Sequence, residues 1–216
     1  MQKSETPSLT RLSPESPVEF LENISRPPDR LFVAEVDGPF VSILLAGTGD
    51  SLVFAQRDIT LDQFRHDIEL EWGVRTVRDN KALKDDIARF AAYFEGDTSP
   101  FISRVQPLKV SEFTLAVHKI IARIPYGSTL SYKELAEEVG RPLASRAAGS
   151  ACGKNRTLIS IPCHRVLASN GIGGFGAGLH VKKRLLDWEK IDWRSMRNKP
   201  KARRLKTMEA PDRPSS

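Results

Sequence analysis

Three β-rich runs follow one another near the start of the chain: LFVAEV (31–36), FVSILLAG (40–47) and SLVFAQ (51–56). Only DGP and GTGD separate them, so they read as a hairpin-like meander of antiparallel strands. The texture then changes. LDQFRHDIELEW (61–72) and ALKDDIARFAAYF (82–94) read as helices. In the second, Leu83, Ile87, Phe90 and Phe94 recur at i, i+4, i+7 and i+11 and make one apolar face, with Gly96 as a stop. Strands followed by helices place residues 30–106 in a small N-terminal α/β domain, and the whole chain in the α+β class. Residues 1–29 are rich in Ser, Pro and Glu and are expected to form a flexible leader. SPFISRVQPLKV (99–110) lacks periodicity and is expected to link two domains.

Residues 107–193 read as a second, mostly helical domain. Phe113, Val117, Ile120, Ile121 and Ile124 share a helical stripe that ends at Pro125 and Gly127. Ser131 and Glu134 form a capping-box pattern ahead of an apolar side made by Tyr132, Leu135, Ala136 and Val139. Gly140 closes that helix, and the turn GRP leads into LASRAAGSACGKN (143–155), a run of very small side chains. Helix, short turn, helix is the helix-turn-helix arrangement, winged-helix-like in its setting. A helix stripped of bulk can approach a minor groove closely, leaving Arg146 free to enter the base stack. Equally, the small residues can be a tight Ala/Gly contact inside the domain, with Arg146 on its surface. These residues alone leave both readings open.

Charge adds less than its total suggests. The net charge is +6, and residues 194–216 hold eight Lys or Arg against two acids, so residues 1–193 are neutral. The basic tail containing KPKARRLK can attract phosphates without sequence preference, or be a solvated extension. Two cysteines do not make a disulfide framework, which fits a reducing compartment. Apolar runs stay well short of the roughly 18–20 residues that span a bilayer, so no membrane association is expected. The N-terminus offers no apolar segment of a secretory signal.

The chemistry concentrates at IPCHRV (161–166). Structural zinc takes about four Cys/His ligands at paired short spacings, and Cys152, Cys163, His164 and His180 have none, so no metal site is expected. A thiol nucleophile is the stronger reading. LISIP is β-prone and Pro162 keeps Ile161 extended, which is expected to hold Cys163 at the end of a short strand. His164 supplies a base, through a water or after a turn, Arg165 supplies a positive charge, and Glu189 at the end of VKKRLLDWE is a candidate to orient the imidazole. Cys152, in the small-residue helix with no base beside it, reads as an inert buried thiol. GIGGFGAG (171–178) lacks the Lys-Ser/Thr of a P-loop and fits a mobile lid beside Cys163 better than a phosphate cradle.

Taken together, residues 113–189 resemble the O6-alkylguanine-DNA alkyltransferases, the methylated-DNA–protein-cysteine methyltransferases. The resemblance rests on FTLAVHKIIARIPYGSTLSYKELAEEVGRP, SRAAGSACGKN, IPCHRV, the glycine loop and KKRLLDWE. Tyr132, Arg146 and Asn155 lie 31, 17 and 8 residues before Cys163. The resemblance implies that Cys163 accepts an alkyl group from O6-alkylguanine in one displacement. His164 would then act as base through water, oriented by Glu189. It further implies that Tyr132 sits by the flipped base, that Arg146 fills the gap in the stack, and that Asn155 braces the turn between helix and active site. Thr114, Lys133, Arg141, Ala147, Gly149 and Ser169 fall where the family contacts DNA. Arg156 replaces the family's usual Pro and Phe175 its frequent Tyr, while the glycine loop is one residue shorter than in many members. These departures bear on pocket size.

The expected activity is therefore single-turnover DNA repair by a monomer on double-stranded DNA, from the minor groove, with no cofactor. It would be cytoplasmic and nucleoid-associated in a prokaryote, nuclear in a eukaryote. Cys163 argues against a non-catalytic lesion-binding relative. A methylation-sensing regulator would need a further acceptor or domain, and nothing marks the oxyanion hole of a thiol hydrolase.

Overall fold

The computed structural model describes residues 16–57 and 59–195. Most of the expected leader (1–15) and the basic tail from residue 196 onward lie outside them. The first strands appear where the β-rich runs predict: β2 (Arg30–Asp37), β3 (Ser42–Gly47) and β4 (Leu52–Gln56), counting an earlier β1 (Val18–Phe20). β2–β3 and β3–β4 pair antiparallel, with Gly38 N–H donating to Val41 C=O (3.0 Å) to close the first connection. Helix α1 (Leu61–Trp72) begins at Thr60, whose hydroxyl accepts from Gln63 N–H, and ends at Gly73 in a left-handed conformation (φ 66°). Strand β5 (Arg75–Arg78) and α2 (Lys84–Phe94) follow.

Two expectations need correction. Part of the leader is built into the sheet, because β1 pairs in parallel with β6 (Ser103–Val105) inside the segment expected to be a linker. Ile24 bridges Leu108 one step further on. The sheet order is thus β1-β6-β4-β3-β2-β5. Three-residue strands carry no readable periodicity, and their partners are more than eighty residues apart.

The second half carries α3 (Glu112–Ala122), β7 (Leu130–Ser131), α4 (Tyr132–Glu138), α5 (Ser145–Gly153), β8 (Val166–Leu167) and α6 (Leu179–Trp188). The predicted capping box is present in full: Ser131 Oγ accepts from Glu134 N–H, and the Glu134 carboxylate accepts from Ser131 N–H (2.7 Å). β7 and β8 pair in parallel, Leu130 with Val166 and Ser131 with Leu167. That short pairing sets the start of α4 beside the segment leaving the IPCHRV turn.

The two halves share a core. Ala34, Ile43, Leu83 and Phe90 pack in one cluster with Ile159, Val181 and Leu185. Polar backbone joins them too, since Ala55 N–H donates to Arg156 C=O (2.7 Å) and Leu158 N–H to Ala55 C=O (3.1 Å). Arg156 extends the contact. It lies over Trp72 (5.0 Å to the ring centre) and Phe54 (5.8 Å), 3.5 Å from the Glu71 carboxylate. The family's proline position is occupied here by a side chain that ties the active-site loop to α1. Among the described residues no helix is long and apolar enough to cross a membrane.

Candidate active site

The approach to Cys163 is a tight coil rather than the expected strand. Ile161 N–H donates to Thr157 C=O (3.0 Å), and Ser160 N–H donates to Leu158 C=O (2.9 Å). Ile159, β-branched, is held at φ 72°, in the left-handed region such residues avoid. Backbone of this kind costs on the order of 1–3 kcal/mol and persists where surrounding packing fixes it. Cys163–Arg165 then form a single 3-10 turn, with Arg165 N–H donating to Pro162 C=O (2.9 Å). The strand expectation missed the local hydrogen bonds that curl LISIP back on itself. The turn replaces the extended geometry in which adjacent side chains point to opposite faces.

Cys163 is 5% exposed, and Asn155 Nδ2 donates both to its Sγ (3.0 Å) and to Ile161 C=O (2.7 Å). Asn155 Oδ1 accepts from Thr157 N–H (2.9 Å), so this side chain braces the end of α5 against the loop. Burial pushes the thiol pKa up, so at neutral pH Cys163 is a thiol that needs a base. Burial also lowers the His164 pKa, which keeps the imidazole neutral and able to accept a proton. His164 Nε2 lies 2.7 Å from Glu189 Oε1. A carboxylate only accepts, so Nε2 carries the hydrogen and Nδ1 carries the lone pair.

Glu189 is the most heavily bonded group in the protein's centre. Oε1 accepts from Tyr93 Oη (2.9 Å), His164 Nε2 and Arg165 Nη2 (2.9 Å), while Oε2 accepts from Arg165 Nε (2.8 Å) and Gly127 N–H (3.4 Å). Burial alone would raise its pKa, but the hydrogen bond from His164 and the Arg165 guanidinium outweigh it and hold it at about 2. A folded-state pKa below the unfolded one means stability that is present above pH 4.5 and lost as pH falls toward 2. His164 and His118, both lowered by burial, act in the same direction from pH 6.5 downward. Denaturant titrations are therefore expected to show stability declining below pH 6.5 and more steeply below 4.5. A stability that is flat from pH 7 to 4 would contradict the assignment of charges.

Tyr132 and the glycine loop close the other side. Tyr132 Oη donates to Gly174 C=O (3.2 Å), and burial raises its pKa to about 12, so the phenol stays protonated. Gly173 (φ 72°) is pressed against this ring, and a Cβ there would come within 2.9 Å of Tyr132 Cε2. Lys182 completes the arrangement, although its sequence context, KKR, suggests a solvated cation. It is 0% exposed; its Nζ donates to Val166 C=O (2.6 Å) and Gly174 C=O (3.0 Å) and lies 5.9 Å from the Tyr132 and Phe175 rings. Burial lowers its pKa to about 8, against the nearby thiols of Cys163 and Cys152, which favour the ammonium. Under the activity that the resemblance implies, replacing it with Met is expected to slow transfer at least tenfold with little change in DNA affinity, because the loop loses its anchor to β8. Single-turnover rates at saturating DNA give the test, and an unchanged rate would remove this positioning role.

The remaining expected residues divide. Gly140 N–H and Arg141 N–H close the end of α4 on Glu137 C=O (2.9 Å) and Ala136 C=O (2.8 Å), and a turn leads to α5. Arg146 and Ala147 are exposed on α5, and Gly149 lies half-buried against Tyr132. Lys133 is exposed near Glu137 (3.8 Å), Arg141 lies over the Phe113 ring (5.7 Å), and Ser169 is exposed after β8. Thr114 does not join them. It is 2% exposed, with its hydroxyl 2.9 Å from Ser111 Oγ in the cap of α3. Cys152 is half-buried, its pKa pushed up to about 12 by burial. No group of three or more His, Cys, Asp or Glu suited to a metal occurs among the described residues.

Fold and site together give a class of arrangement suited to thiol chemistry: a buried cysteine followed by a neutral imidazole bonded to a fixed carboxylate. Comparison with known proteins narrows this. The 6-O-methylguanine DNA methyltransferase DNA binding domain matches residues 112–191. The methylated-DNA–protein-cysteine methyltransferase of Mycobacterium leprae is 36% identical over 156 residues, covering 72% of this chain and 90% of the relative. That of Methanosarcina barkeri is 34% identical over 160 residues, covering 74% and 97%. The crystal structure of the Mycobacterium tuberculosis O6-methylguanine methyltransferase aligns with TM-score 0.62 at 30% identity over 74% of this chain and 93% of that one. A structure of the M. tuberculosis protein in complex with DNA aligns with TM-score 0.62 at 29% identity over 76% and 98%. The chain belongs to the methylated-DNA–protein-cysteine methyltransferase family.

Proposed function

We propose that this protein repairs DNA by moving the alkyl group of O6-alkylguanine onto Cys163, once per molecule. The observation that carries the reading is the Cys163 thiol bonded by Asn155, packed in one cluster with Ala148 and Ala151 of α5 and followed in the same turn by a His164 bonded to Glu189. Approach from the minor groove requires flipping, because O6 lies on the major-groove edge of the stacked base, and flipping costs a few kcal/mol. In this reading Arg146, exposed on α5, fills the vacated stack, while Ala147 and Gly149 let the backbone come close to a minor groove. His164 Nδ1 takes the thiol proton through a water. Sγ attacks the alkyl carbon as the carbon–oxygen bond breaks, and its electron pair stays with the guanine. Tyr132 Oη, protonated, donates to that leaving group and is reprotonated from the His164 side, so the thiol proton ends on the base. The thioether product has no easy leaving route, and the step calls on no cofactor. Peptide mapping after exposure to an O6-methylguanine duplex tests the reading, which a methyl on any residue other than Cys163 would overturn.

The flipping role makes its own prediction. Arg146→Ala is expected to slow transfer on duplex DNA by tenfold or more, yet leave transfer from the free O6-methylguanine base unchanged. Equal losses on both substrates, measured as single-turnover rates, would remove the intercalating role. Lys133, Arg141 and Ser169 then serve as sequence-independent backbone contacts, which suits repair at any sequence. We further read the protein as a monomer that acts where the DNA is, in the nucleoid or the nucleus.

A further inference from the structure

Leu143 is a leucine with no packing partner. It is 99% exposed, more than any other large apolar side chain described. Its position is not that of a slack loop. Arg141–Ala144 form a turn closed by Ala144 N–H donating to Arg141 C=O (2.8 Å), with Pro142 fixing φ at the first corner. The turn is tied back by the end of α4 through Arg141 N–H and by the Arg141 guanidinium over Phe113. On the other side it runs straight into α5, where Ala148 N–H donates to Ala144 C=O (2.9 Å). Within α5 the exposed positions 146, 147 and 150 share one stripe, by the i, i+3 and i, i+4 spacings to 150, and Leu143 stands in the turn that leads into it. On that stripe Ala147 and Ser150 are small, and Arg146 is the long cation. A rigid turn therefore holds an isobutyl group in water at the leading edge of the helix face that carries Arg146.

We propose that Leu143 is an apolar contact to DNA, packing against deoxyribose in the minor groove just ahead of the helix that carries Arg146. Leucine is among the side chains that minor-groove proteins press against or between base steps, and its burial is favourable whatever the sequence. The inference rests on the reading of α5 as the DNA-facing helix. The test uses a Cys163→Ala background, so that no transfer occurs, and measures affinity for an O6-methylguanine duplex across a KCl series. Leu143→Ala is expected to weaken binding about tenfold at every salt concentration, giving a parallel salt-dependence line. Leu143→Met should restore most of the loss, thermal stability should be unchanged, and Leu70→Ala, a 75% exposed leucine on α1, should have no effect. Affinity of Leu143→Ala within twofold of the parent overturns the proposal, as does a loss that disappears at high salt. If Arg146→Ala binds normally as well, the α5 reading falls with it; if Arg146→Ala alone weakens binding, only the role of Leu143 falls.

Discussion

Incubated with duplex DNA carrying O6-methylguanine, the wild-type chain is expected to gain a single methyl on the peptide containing Cys163. The Cys163→Ala variant should gain none while binding the duplex as before. Two thiols lie close enough to share a field, so the discrimination between them is informative. Burial raises both pKa values, that of Cys152 to about 12. Only Cys163 receives a hydrogen bond from Asn155 at its sulfur, which favours the thiolate, and only it adjoins a neutral imidazole fixed by a carboxylate. Removing a methylene-sized thiol from the site leaves the α5 face untouched, so binding and transfer should separate cleanly. Intact-mass measurement followed by peptide mapping reads the result. A methyl on Cys152 would assign the chemistry to the wrong side of the pocket.

The second large effect concerns stability. Glu189→Ala is expected to cost about 3–5 kcal/mol, because it leaves the buried Arg165 guanidinium without its counter-charge. Arg165 would keep one bond, from Nη1 to Ile124 C=O (2.6 Å), and lose both of those to the carboxylate. Tyr93 and His164 would lose their acceptor in the same step. Glu189→Gln keeps an acceptor but no charge and should fall between the two. The shift in denaturant midpoint at constant slope measures this. A variant that unfolds at the parent's midpoint would show that the charge is not held as described.

Much of this was legible in the chain because it is local. The meander, the limits of α1 and the capping box depend on residues within a few positions of one another. Strands β1, β5 and β6 were not legible. RTVR offers a single buried residue, Thr76, and β1 and β6 define each other only across the fold. In the site, Asn155 lies at the Cys163 sulfur, Glu189 at His164 and Tyr132 at the glycine loop, while Thr114 is diverted into a cap. Tyr93 and Lys182 went unread, and Arg165, expected as a positive charge for the thiol, is turned instead onto Glu189 and Ile124 C=O. Tyr93 reaches Glu189 from 96 residues away, a distance no pattern encodes. Lys182 did leave a signal, since it shares its buried helix face with Val181, Leu185 and Leu186. A lysine in an apolar stripe is an anomaly that its charged neighbours concealed.

Tyr93 belongs to α2, in the half of the sequence that carries none of the expected site residues, yet its phenol ends on the carboxylate bonded to His164. The cluster joining Phe90 and Leu83 to Val181 and Leu185 runs through the same place. Heat should therefore find no seam between the halves. A calorimetric scan is expected to give a single endotherm whose van't Hoff and measured enthalpies agree, so that the machinery for transfer is lost only when the entire body melts.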